Sequence, residues 1–509
     1  MVKPLHGKLT FALLFTALLA MAPQTLSAAG KDTTLAEFIE QGMELWHVPG
    51  MAVTVVESEN IHFSQGFGET TINRGKPVDE HTLFANASTT KAMVAAGILM
   101  LEEDGKLTLD DVVTDHIPEL HFNTPLLTDQ VTIRDLLAHR TGLPSTDFWT
   151  FFLGQPLDEQ IRRLAAVEPV NPLRTGFIYQ NTMFELAGLV IERVSGLRWD
   201  RFLEQRLWQP IGMQETFGSR GQIDKGMDHV MPHDIRDEKL QIVDWSLPAD
   251  LADAAGSAWT SIHDMGLWAQ FLLRNGVTAD GKQLLSEESI DEMFRPQQLI
   301  PATSFYPTHE LTQPSWLSYG LGWFQQDFQG RKIDFHTGSL NGLIAIIGLD
   351  RANDKAVVVL GNRDHAEMRH AILWEVMDQL PGSERRDWNQ DIWNLYQDAR
   401  ESGDERWAEL EGKRMKNTRP SLPLSTYTGQ YTTPALGDIT IVVEKGKMLF
   451  RTANLDMPMS HWHLDTFVVE HKPWGLKEFA TFKVGPDSEV SGLSLFDREF
   501  SRLAEPEQE

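Results

Sequence analysis

A serine followed three positions later by a lysine, Ser88 and Lys91, is the first pair of residues in this chain that could do chemistry. At the start of a helix, residues at this spacing share one face, with Cβ atoms about 5–6 Å apart. A serine hydroxyl is a weak nucleophile, and a lysine kept neutral by desolvation can act as its base. The helix N-terminus adds partial positive charge where an oxyanion would form. Taken alone, the spacing is better explained by an N-cap serine and a surface lysine.

A tyrosine and an asparagine two positions apart, Tyr179 and Asn181, form the second element. A tyrosine near a lysine can share its proton and pass it to a leaving group. An asparagine amide can hold a substrate carbonyl. The ordinary alternative is a half-buried tyrosine beside an asparagine that caps a helix.

The third element is the run His336, Thr337, Gly338 and Ser339, at the end of a predicted strand. Because glycine has no side chain, a ligand could lie close against the strand edge at this point. The backbone N–H of Ser339 could then pair with that of Ser88 as an oxyanion hole. The alternative is an ordinary strand end that enters a loop.

Together, the order and spacing of the three elements resemble the class C β-lactamase and DD-peptidase group of serine hydrolases, which includes the CubicO-type esterases and peptidases. The plan of that group is S-x-x-K, then Y-x-N, then [KH]-[TS]-G, and the resemblance covers about residues 35–380. Three further segments also resemble the group: Thr132–Pro144, Ala255–Ser261 and Tyr319–Trp323.

The resemblance implies a role for each residue. Ser88 would be acylated by a substrate carbonyl, Lys91 and Tyr179 would share the general base and acid work, and water would release the acyl group. The predicted catalytic residues are therefore Ser88, Lys91 and Tyr179. The predicted substrate-binding residues are Asn181, His336, Thr337, Gly338 and Ser339. No cofactor and no metal are expected.

His336 departs from the lysine that many members of the group carry. Histidine is not fully charged at neutral pH, so a substrate carboxylate held at this position becomes less well supported. Efficient β-lactamase activity is therefore also less well supported. Esterase or peptidase action on esters, amides or peptides with D-residues gains support.

The motifs of other enzyme classes are incomplete in this sequence. A G-x-S-x-G elbow is absent, because Gly338–Gly342 has its serine in the wrong place. His461 and His463 would share a strand face, but nothing near them in sequence completes a zinc set. A binding or scaffold protein that kept the fold without turnover is the alternative class. An intact set of Ser88, Lys91 and Tyr179 argues against it.

The elements that must position these residues can also be read from the sequence. The patterns predict a first helix over 32–47, a helix at Thr89–Asp104 and mostly helical pieces over roughly 110–315. Strands are predicted on both sides of that helical region, at Met51–Glu57, Ile61–Gln65, Arg331–His336, Leu343–Asp350 and Lys355–Leu360. We expect an α/β (α+β) body that resembles the β-lactamase/DD-peptidase fold, with an antiparallel sheet flanked by helices and a mostly helical subdomain.

The last quarter of the chain, from about residue 387, has a different sequence pattern. A helix is predicted over 387–411, followed by a polar, proline-containing connector and then short β-rich runs. These runs predict a small antiparallel, barrel-like domain. It weakly resembles a domain appended to some CubicO-type proteins, which implies a role in homo-oligomer contacts or in shaping access to the site. Passive packing is the alternative. The predicted organisation is 1–29 signal peptide, 30–385 hydrolase domain, 386–423 helix and linker, and 424–509 β domain.

Composition bounds the class of protein. The chain has 509 residues, too many for one core, no cysteine, and a net charge of −27, which disfavours nucleic acid as a partner. Lys3 and Lys8, the apolar run Leu9–Met21 and the small residues 27–29 have the layout of a secretory signal peptide. An uncleaved membrane anchor is the alternative, but the run is shorter than the roughly 20 residues of a spanning helix. We expect a periplasmic or secreted protein with no transmembrane segment after residue 29.

Overall fold

A computed structural model describes residues 34–236, 238–243, 253–378, 386–453, 455–471, 475–496 and 498–504. The predicted signal peptide, residues 1–29, lies outside the described residues. The strands of the body are β1 Gly50–Val56, β2 Ile61–Gly68, β3 Phe84–Ala85, β4 His233–Arg236, β5 Lys239–Ile242, β6 Trp259–Thr260, β7 Gln298–Leu299, β8 Leu317–Tyr319, β9 Phe324–Phe328, β10 Arg331–Leu340, β11 Leu343–Asp350 and β12 Lys355–Gly361.

Helices cover both faces of the sheet and form a separate helical region between β3 and β7. Their bounds are α1 Leu35–Trp46, α2 Thr90–Glu103, α3 Val113–His116, α4 Pro125–Gln130, α5 Ile133–Leu137, α6 Leu157–Leu164, α7 Asn181–Ser195, α8 Trp199–Leu203, α9 Gln209–Ile211, α10 Asp253–Gly256, α11 Ile262–Leu273, α12 Glu287–Met293, α13 His309–Thr312, α14 Met368–Met377 and α15 Trp388–Lys413. None of the helices in the described ranges combines the length and the apolar character needed to span a membrane.

One antiparallel sheet of eight strands, in the order β2-β1-β12-β11-β10-β9-β8-β7, forms the centre of the body. Every residue of β11 is buried, because helices pack on both faces of the sheet. Successive side chains alternate between these faces. Ile344 and Ile346 pack in the core under α1, α14 and α15, whereas Ala345 and Ile347 pack in the core with α2, α7 and α11. The predicted fold class is confirmed.

The chain ends in a closed eight-stranded antiparallel barrel. Its strands are β13 Gly429–Thr433, β14 Gly437–Glu444, β15 Lys447–Arg451, β16 Asp456–His463, β17 Thr466–His471, β18 Leu476–Val484, β19 Val490–Leu495 and β20 Arg498–Arg502. The sequence pattern did not predict β13, β16 or β20. In β16, Pro458 and two histidines obscure an alternation in which Met457 and Met459 face the barrel core.

The barrel rests on the helical region of the body. The indole nitrogen of Trp149 donates a 2.6 Å hydrogen bond to the carbonyl of Ala435, in the β13–β14 turn. The ring of Phe148 lies 5.0 Å from the ring of Phe496, which follows β19. The barrel therefore contacts the chain segment that directly follows Asp147, a residue of the site described next.

Candidate active site

Ser88 lies in a single turn of 3-10 helix, Ala87–Thr89, that leads into the buried helix α2. The residue before the serine, Ala87, has a left-handed backbone with φ of 47°. Residues other than glycine rarely adopt this backbone conformation, and it persists only where the surrounding structure enforces it. The hydroxyl of Thr89 donates to the carbonyl of Asn86 at 2.7 Å and so closes the turn from the other side. The nucleophile candidate therefore lies on a tightly constrained turn.

Lys91, one helical turn after Ser88, is fully buried and has three hydrogen-bond partners. Its nitrogen lies 3.0 Å from Ser88 Oγ, 2.7 Å from Asn181 Oδ1 and 2.6 Å from the carbonyl oxygen of Ala255. Burial lowers the pKa of Lys91 to about 7, against the opposing influence of two nearby carboxyl groups, Asp147 and Glu185. Near neutral pH, a large fraction of Lys91 is therefore the free amine.

Tyr179 and Asn181 complete the wall around Lys91. The Tyr179 ring centroid lies 5.0 Å from the lysine nitrogen, and Tyr179 and Ser88 line the same cavity. Burial holds the pKa of Tyr179 well above its usual range, so the phenol keeps its proton. Asn181 is the first residue of α7, and its backbone N–H donates to Asp147 Oδ1 at 3.1 Å. The structure thus brings the first two predicted elements together.

The third element approaches the serine through Gly338. A Cβ placed on Gly338 would lie 2.7 Å from Ala87 Cβ and 2.9 Å from the backbone nitrogen of Ser88. The side of Gly338 on which a Cβ would lie is therefore occupied by the segment that carries Ser88. Strand β9 pairs with β10 only as far as Phe335, so the strand edge beyond that point faces Ser88.

The run from His336 to Ser339 lies within a strand, not at its end, because β10 continues to Leu340 and pairs with β11. Because successive residues of a strand point to opposite faces, His336 and Gly338 share one face and Thr337 and Ser339 share the other. Thr337 and Ser339 line the cavity at Ser88. Ser339 Oγ accepts a hydrogen bond from the buried guanidinium of Arg369 at 2.8 Å, and the same guanidinium contacts the Gly338 carbonyl.

His336 faces the interior and does not line the cavity. Its Nδ1 is 2.7 Å from the carbonyl of Thr337, which can only accept, so Nδ1 carries the proton. Its Nε2 then accepts from the Tyr319 hydroxyl at 2.9 Å. Burial, together with the nearby Lys91, lowers the pKa of His336 to about 3. The imidazole is therefore neutral and holds the Tyr319 hydroxyl by a hydrogen bond inside the protein. It does not line the cavity, where contact with substrate was predicted.

The cavity in front of Ser88 has a volume of about 470 Å³ and mixes aromatic walls with a few polar groups. Its lining includes five of the predicted residues, Ser88, Tyr179, Asn181, Thr337 and Ser339. The aromatic lining is Phe177, Phe305, Tyr306 and Phe324. A cavity of this size and character suits a small acyl compound or a short peptide segment.

Sequence reasoning missed three polar residues around the site. Asp147 is placed by the loop before Trp149, and burial raises its pKa. Glu185 lies one turn after Asn181 on α7, and burial, followed by the charge of Asp253, raises its pKa to about 8. An acidic residue in the otherwise apolar run from Met183 to Ala187 was the one available signal for Glu185. Nothing in the sequence pattern marked Asp147 or Arg369.

Two other pairs of histidines, His461 with His463 and His81 with His263, lie outside this site. His461 donates from Nε2 to the carbonyl of Leu464 at 2.9 Å, and a β-bulge separates it from His463. On the surface, ligand atoms of His81, Glu215 and His263 lie within 4.8 Å of one another, and these are the side chains whose geometry could hold a metal ion in the described ranges. None of the three lines the cavity at Ser88.

Comparison with known proteins agrees with this geometry. Residues 35–380 match the Beta-lactamase family, and residues 413–508 match a domain of unknown function, DUF3471. A relative from Aspergillus campestris, named unguisins hydrolase ungD', is 27% identical over 518 residues, which cover 91% of this chain and 89% of the relative.

Solved structures share the fold at low sequence identity. The octameric penicillin-binding protein homologue from Pyrococcus abyssi has a TM-score of 0.59 at 20% identity and covers 92% of this chain and 98% of its own. A D-stereospecific amidohydrolase from Streptomyces has a TM-score of 0.53 at 23% identity and covers 68% of this chain and 99% of its own. With the Beta-lactamase match spanning well over half of its length, this chain belongs to the beta-lactamase family and is a serine hydrolase.

Proposed function

We propose that this hydrolase is an exported enzyme that cleaves amide or ester bonds in small acyl compounds and short peptides, including peptides with D-residues, through an acyl-Ser88 intermediate. The observation that carries the proposal is the contact of 3.0 Å between the Lys91 nitrogen and Ser88 Oγ, at a lysine whose pKa burial lowers to about 7. A serine activated by a neutral lysine is a nucleophile for acyl transfer.

The three hydrogen bonds of Lys91 suit either protonation state, and only the neutral amine can accept a proton from Ser88. Such an amine has two N–H donors and one lone pair. The oxygens of Asn181 and Ala255 can only accept, so they take the two N–H groups. The lone pair remains for the hydroxyl of Ser88, which can donate. This arrangement holds the base in the direction from which it removes the serine proton.

Acylation follows from these contacts. Ser88 Oγ attacks the substrate carbonyl carbon as its proton moves to Lys91, and an oxygen–carbon bond forms. The backbone N–H groups of Ser88 and Ser339 stabilise the negative oxygen. The carbonyl–nitrogen or carbonyl–oxygen bond then breaks, and the leaving group takes its proton from Lys91 directly or through Tyr179. Lys91 returns to the free amine, and the acyl group remains on Ser88.

Deacylation repeats the chemistry with water. A water oxygen attacks the acyl carbon while one water proton moves to Lys91, directly or by relay through the Tyr179 hydroxyl. The ester bond to Ser88 breaks, Ser88 Oγ regains a proton, and a carboxylic acid leaves. No residue of the site is consumed, so the cycle closes without a cofactor.

The substrate class rests on the relatives and on the cavity. One relative that matches both parts of the chain is named an unguisins hydrolase, and one structural neighbour is a D-stereospecific amidohydrolase. The cavity has no lysine on β10 to hold a β-lactam carboxylate, and His336 faces away from it. These features favour peptide and ester substrates over β-lactams.

Export and self-association are part of the proposal. The composition of residues 1–29 supports secretion to the periplasm or the medium. The penicillin-binding protein homologue that shares the fold over both domains is octameric, which supports homo-oligomer formation through the C-terminal barrel. Light scattering of the purified protein would report the oligomeric state directly.

The test uses purified protein lacking residues 1–29, as wild type, Ser88→Ala and a control, Ser460→Ala, which removes an exposed barrel serine. With p-nitrophenyl butyrate we expect the wild type and Ser460→Ala to turn over. We expect Ser88→Ala to lose at least about 1,000-fold in kcat/KM. Intact mass should show an acyl adduct on the wild type and on Ser460→Ala, but not on Ser88→Ala. Equal activity of Ser88→Ala and wild type would overturn the nucleophile assignment.

The competing proposal is a scaffold that kept the fold without turnover. It would be favoured if no acylating probe, whether an ester, a D-amino peptide or a β-lactam, formed an adduct on Ser88. The burial and lowered pKa of Lys91 support turnover. Burying this amine costs folding free energy, and a scaffold without turnover would gain nothing in return.

A further inference from the structure

A second cavity, of about 460 Å³, adjoins the one at Ser88. The two cavities share His365 and Glu367 in their linings and therefore lie side by side. The second cavity is otherwise lined from α1, from β4, from the turn that follows β12, from α15 and by Gly475 just before β18. The residues that matter for its chemistry are Trp46, Asp234, Arg363, Asp364, Tyr396 and Arg400.

Arg363 is the main observation at this cavity. Its side chain is only 4% exposed, and its Nε is buried without a hydrogen-bond partner. A guanidinium has five N–H donors and no acceptor, so it must find oxygens when it is buried. An unpartnered buried charge is costly, which makes this arginine a strong indication of a ligand.

A second unpartnered donor lines the same cavity. The indole nitrogen of Trp46, a residue that is 1% exposed, is also buried without a partner. Arg400, on the exposed side of α15, adds a second guanidinium at the rim. Among the described residues, the buried groups of this cavity without a hydrogen-bond partner are therefore two donors, on Arg363 and Trp46, and one acceptor, Asp364 Oδ1, and the two arginines are its guanidinium cations.

Three carboxylates also line this cavity, and each of them lies close to a basic side chain other than Arg363 and Arg400. Asp234 Oδ2 lies 3.5 Å from the Arg236 guanidinium. Asp364 lies 2.8 Å from Nδ1 of His365. Glu367 forms a buried pair with Arg369 at 2.9 Å. Once these pairs are counted, Arg363 and Arg400 are the cations of the cavity without a hydrogen-bonded counter-ion among the described residues.

We propose that this second cavity is a carboxylate-binding subsite of the same active site, and that it takes the free carboxylate of a peptide whose scissile bond lies at Ser88. Arg363 and Trp46 bind the carboxylate oxygens, and Arg400 attracts the anion from the rim. The inference rests on the proposed function, since it assigns part of the substrate. A guanidinium is the side chain best suited to bind a carboxylate through two hydrogen bonds.

The test measures binding without turnover. In the Ser88→Ala background, calorimetry compares N-acetyl-D-alanine oligomers of one to four residues, each as the free acid and as the carboxamide. We expect the acid of the longer peptides to bind about tenfold more tightly than the amide, the value of a charge-assisted hydrogen bond. We expect the single residue to show no such preference, because it cannot reach both Ser88 and the second cavity.

Three substitutions locate the preference. Arg363→Gln should bring the acid-to-amide ratio close to one, and Arg400→Gln should lower it about threefold. The matched control is Arg406→Gln, the same change on the same helix at an exposed residue that lines neither cavity. It should keep the wild-type ratio. If Arg363→Gln does not fold, Arg400→Gln decides, because its exposed position leaves the core untouched.

Several results would overturn the proposal. Equal binding of acids and amides at every length would do so, as would equal effects of Arg400→Gln and Arg406→Gln. A full preference already present for the single residue would mean that the cavity takes free amino acids, not the end of a bound peptide. Failure of the proposed function is seen separately, as a wild type that forms no acyl adduct while the binding preference persists.

Discussion

The side-chain nitrogen of Lys91 lies 3.0 Å from the hydroxyl oxygen of Ser88, and its two other partners, oxygens of Asn181 and Ala255, can only accept. A charged lysine would have to donate to all three and would leave the serine proton in place. A neutral lysine can accept that proton. The protonation state of one buried side chain therefore separates an idle site from an active one.

This relationship predicts the pH dependence of turnover. Because burial lowers the pKa of Lys91 to about 7, we expect kcat/KM to rise about tenfold per pH unit below that value and to level off above it. His336, with a pKa of about 3, does not titrate in this range. The measurement is kcat/KM for p-nitrophenyl butyrate from pH 5 to 9, corrected for spontaneous hydrolysis. A flat profile, or one that falls as pH rises, would contradict the role given to Lys91.

Asp147 should set where that rise occurs. Its carboxylate raises the pKa of Lys91 against the effect of burial, so removing the charge should move the midpoint of the profile to lower pH. We expect Asp147→Asn to shift it by roughly half a unit to one unit, while an amide oxygen can still accept from the Asn181 N–H. The control is Asp158→Asn, on the exposed side of α6. A shift to higher pH would show that the charge of Asp147 does not act on the base.

The combination of three short motifs was enough to predict which residues meet at the site, because each motif fixes a helix start or a strand in a known order. The surrounding charges could not be predicted in this way. Asp147 and Arg369 reach the site from a loop and from a helix end, and their positions depend on packing between segments distant in sequence. A single acidic or basic residue without a periodic pattern carries no signal of that packing.

The direction of the His336 side chain was also beyond the sequence. Whether a strand ends before a motif or continues through it decides which side chains face the ligand, because the period of a strand is two. Here the pairing of β10 with β11 continues to Leu340. Thr337 and Ser339 consequently face the cavity, whereas His336 and Gly338 face the interior and the segment that carries Ser88.

Gly338→Ala tests the contact between β10 and the serine turn. A methyl group there would meet Asn86 O and Ala87 Cβ at 2.7 Å, so the turn that carries Ser88 must shift. Displacement of a nucleophile by about 1 Å costs on the order of 100-fold in rate, and we expect at least that loss in kcat/KM. Thermal unfolding should show a lower Tm as well. The control is Gly226→Ala, where a Cβ meets nothing within 4 Å. Wild-type activity in Gly338→Ala would mean that the strand and the turn are not held in register by this contact.

His336→Lys asks whether the lysine common at this motif position in related enzymes would act here as a ligand for substrate. The site of the ring is fully buried, and its two hydrogen bonds are to the Thr337 carbonyl and the Tyr319 hydroxyl, with no carboxylate as a partner. A charged ammonium there lacks a counter-ion, so we expect the free energy of unfolding to fall by about 2–4 kcal/mol and no gain in β-lactam hydrolysis. The measurements are urea unfolding and a chromogenic cephalosporin assay. The control is His62→Lys, at a half-exposed position beside Glu57, which should stay within about 0.5 kcal/mol of wild type. A stable His336→Lys variant that hydrolyses β-lactams would show that this side chain can turn into the cavity, which would return the motif to the ligand-binding role first expected of it.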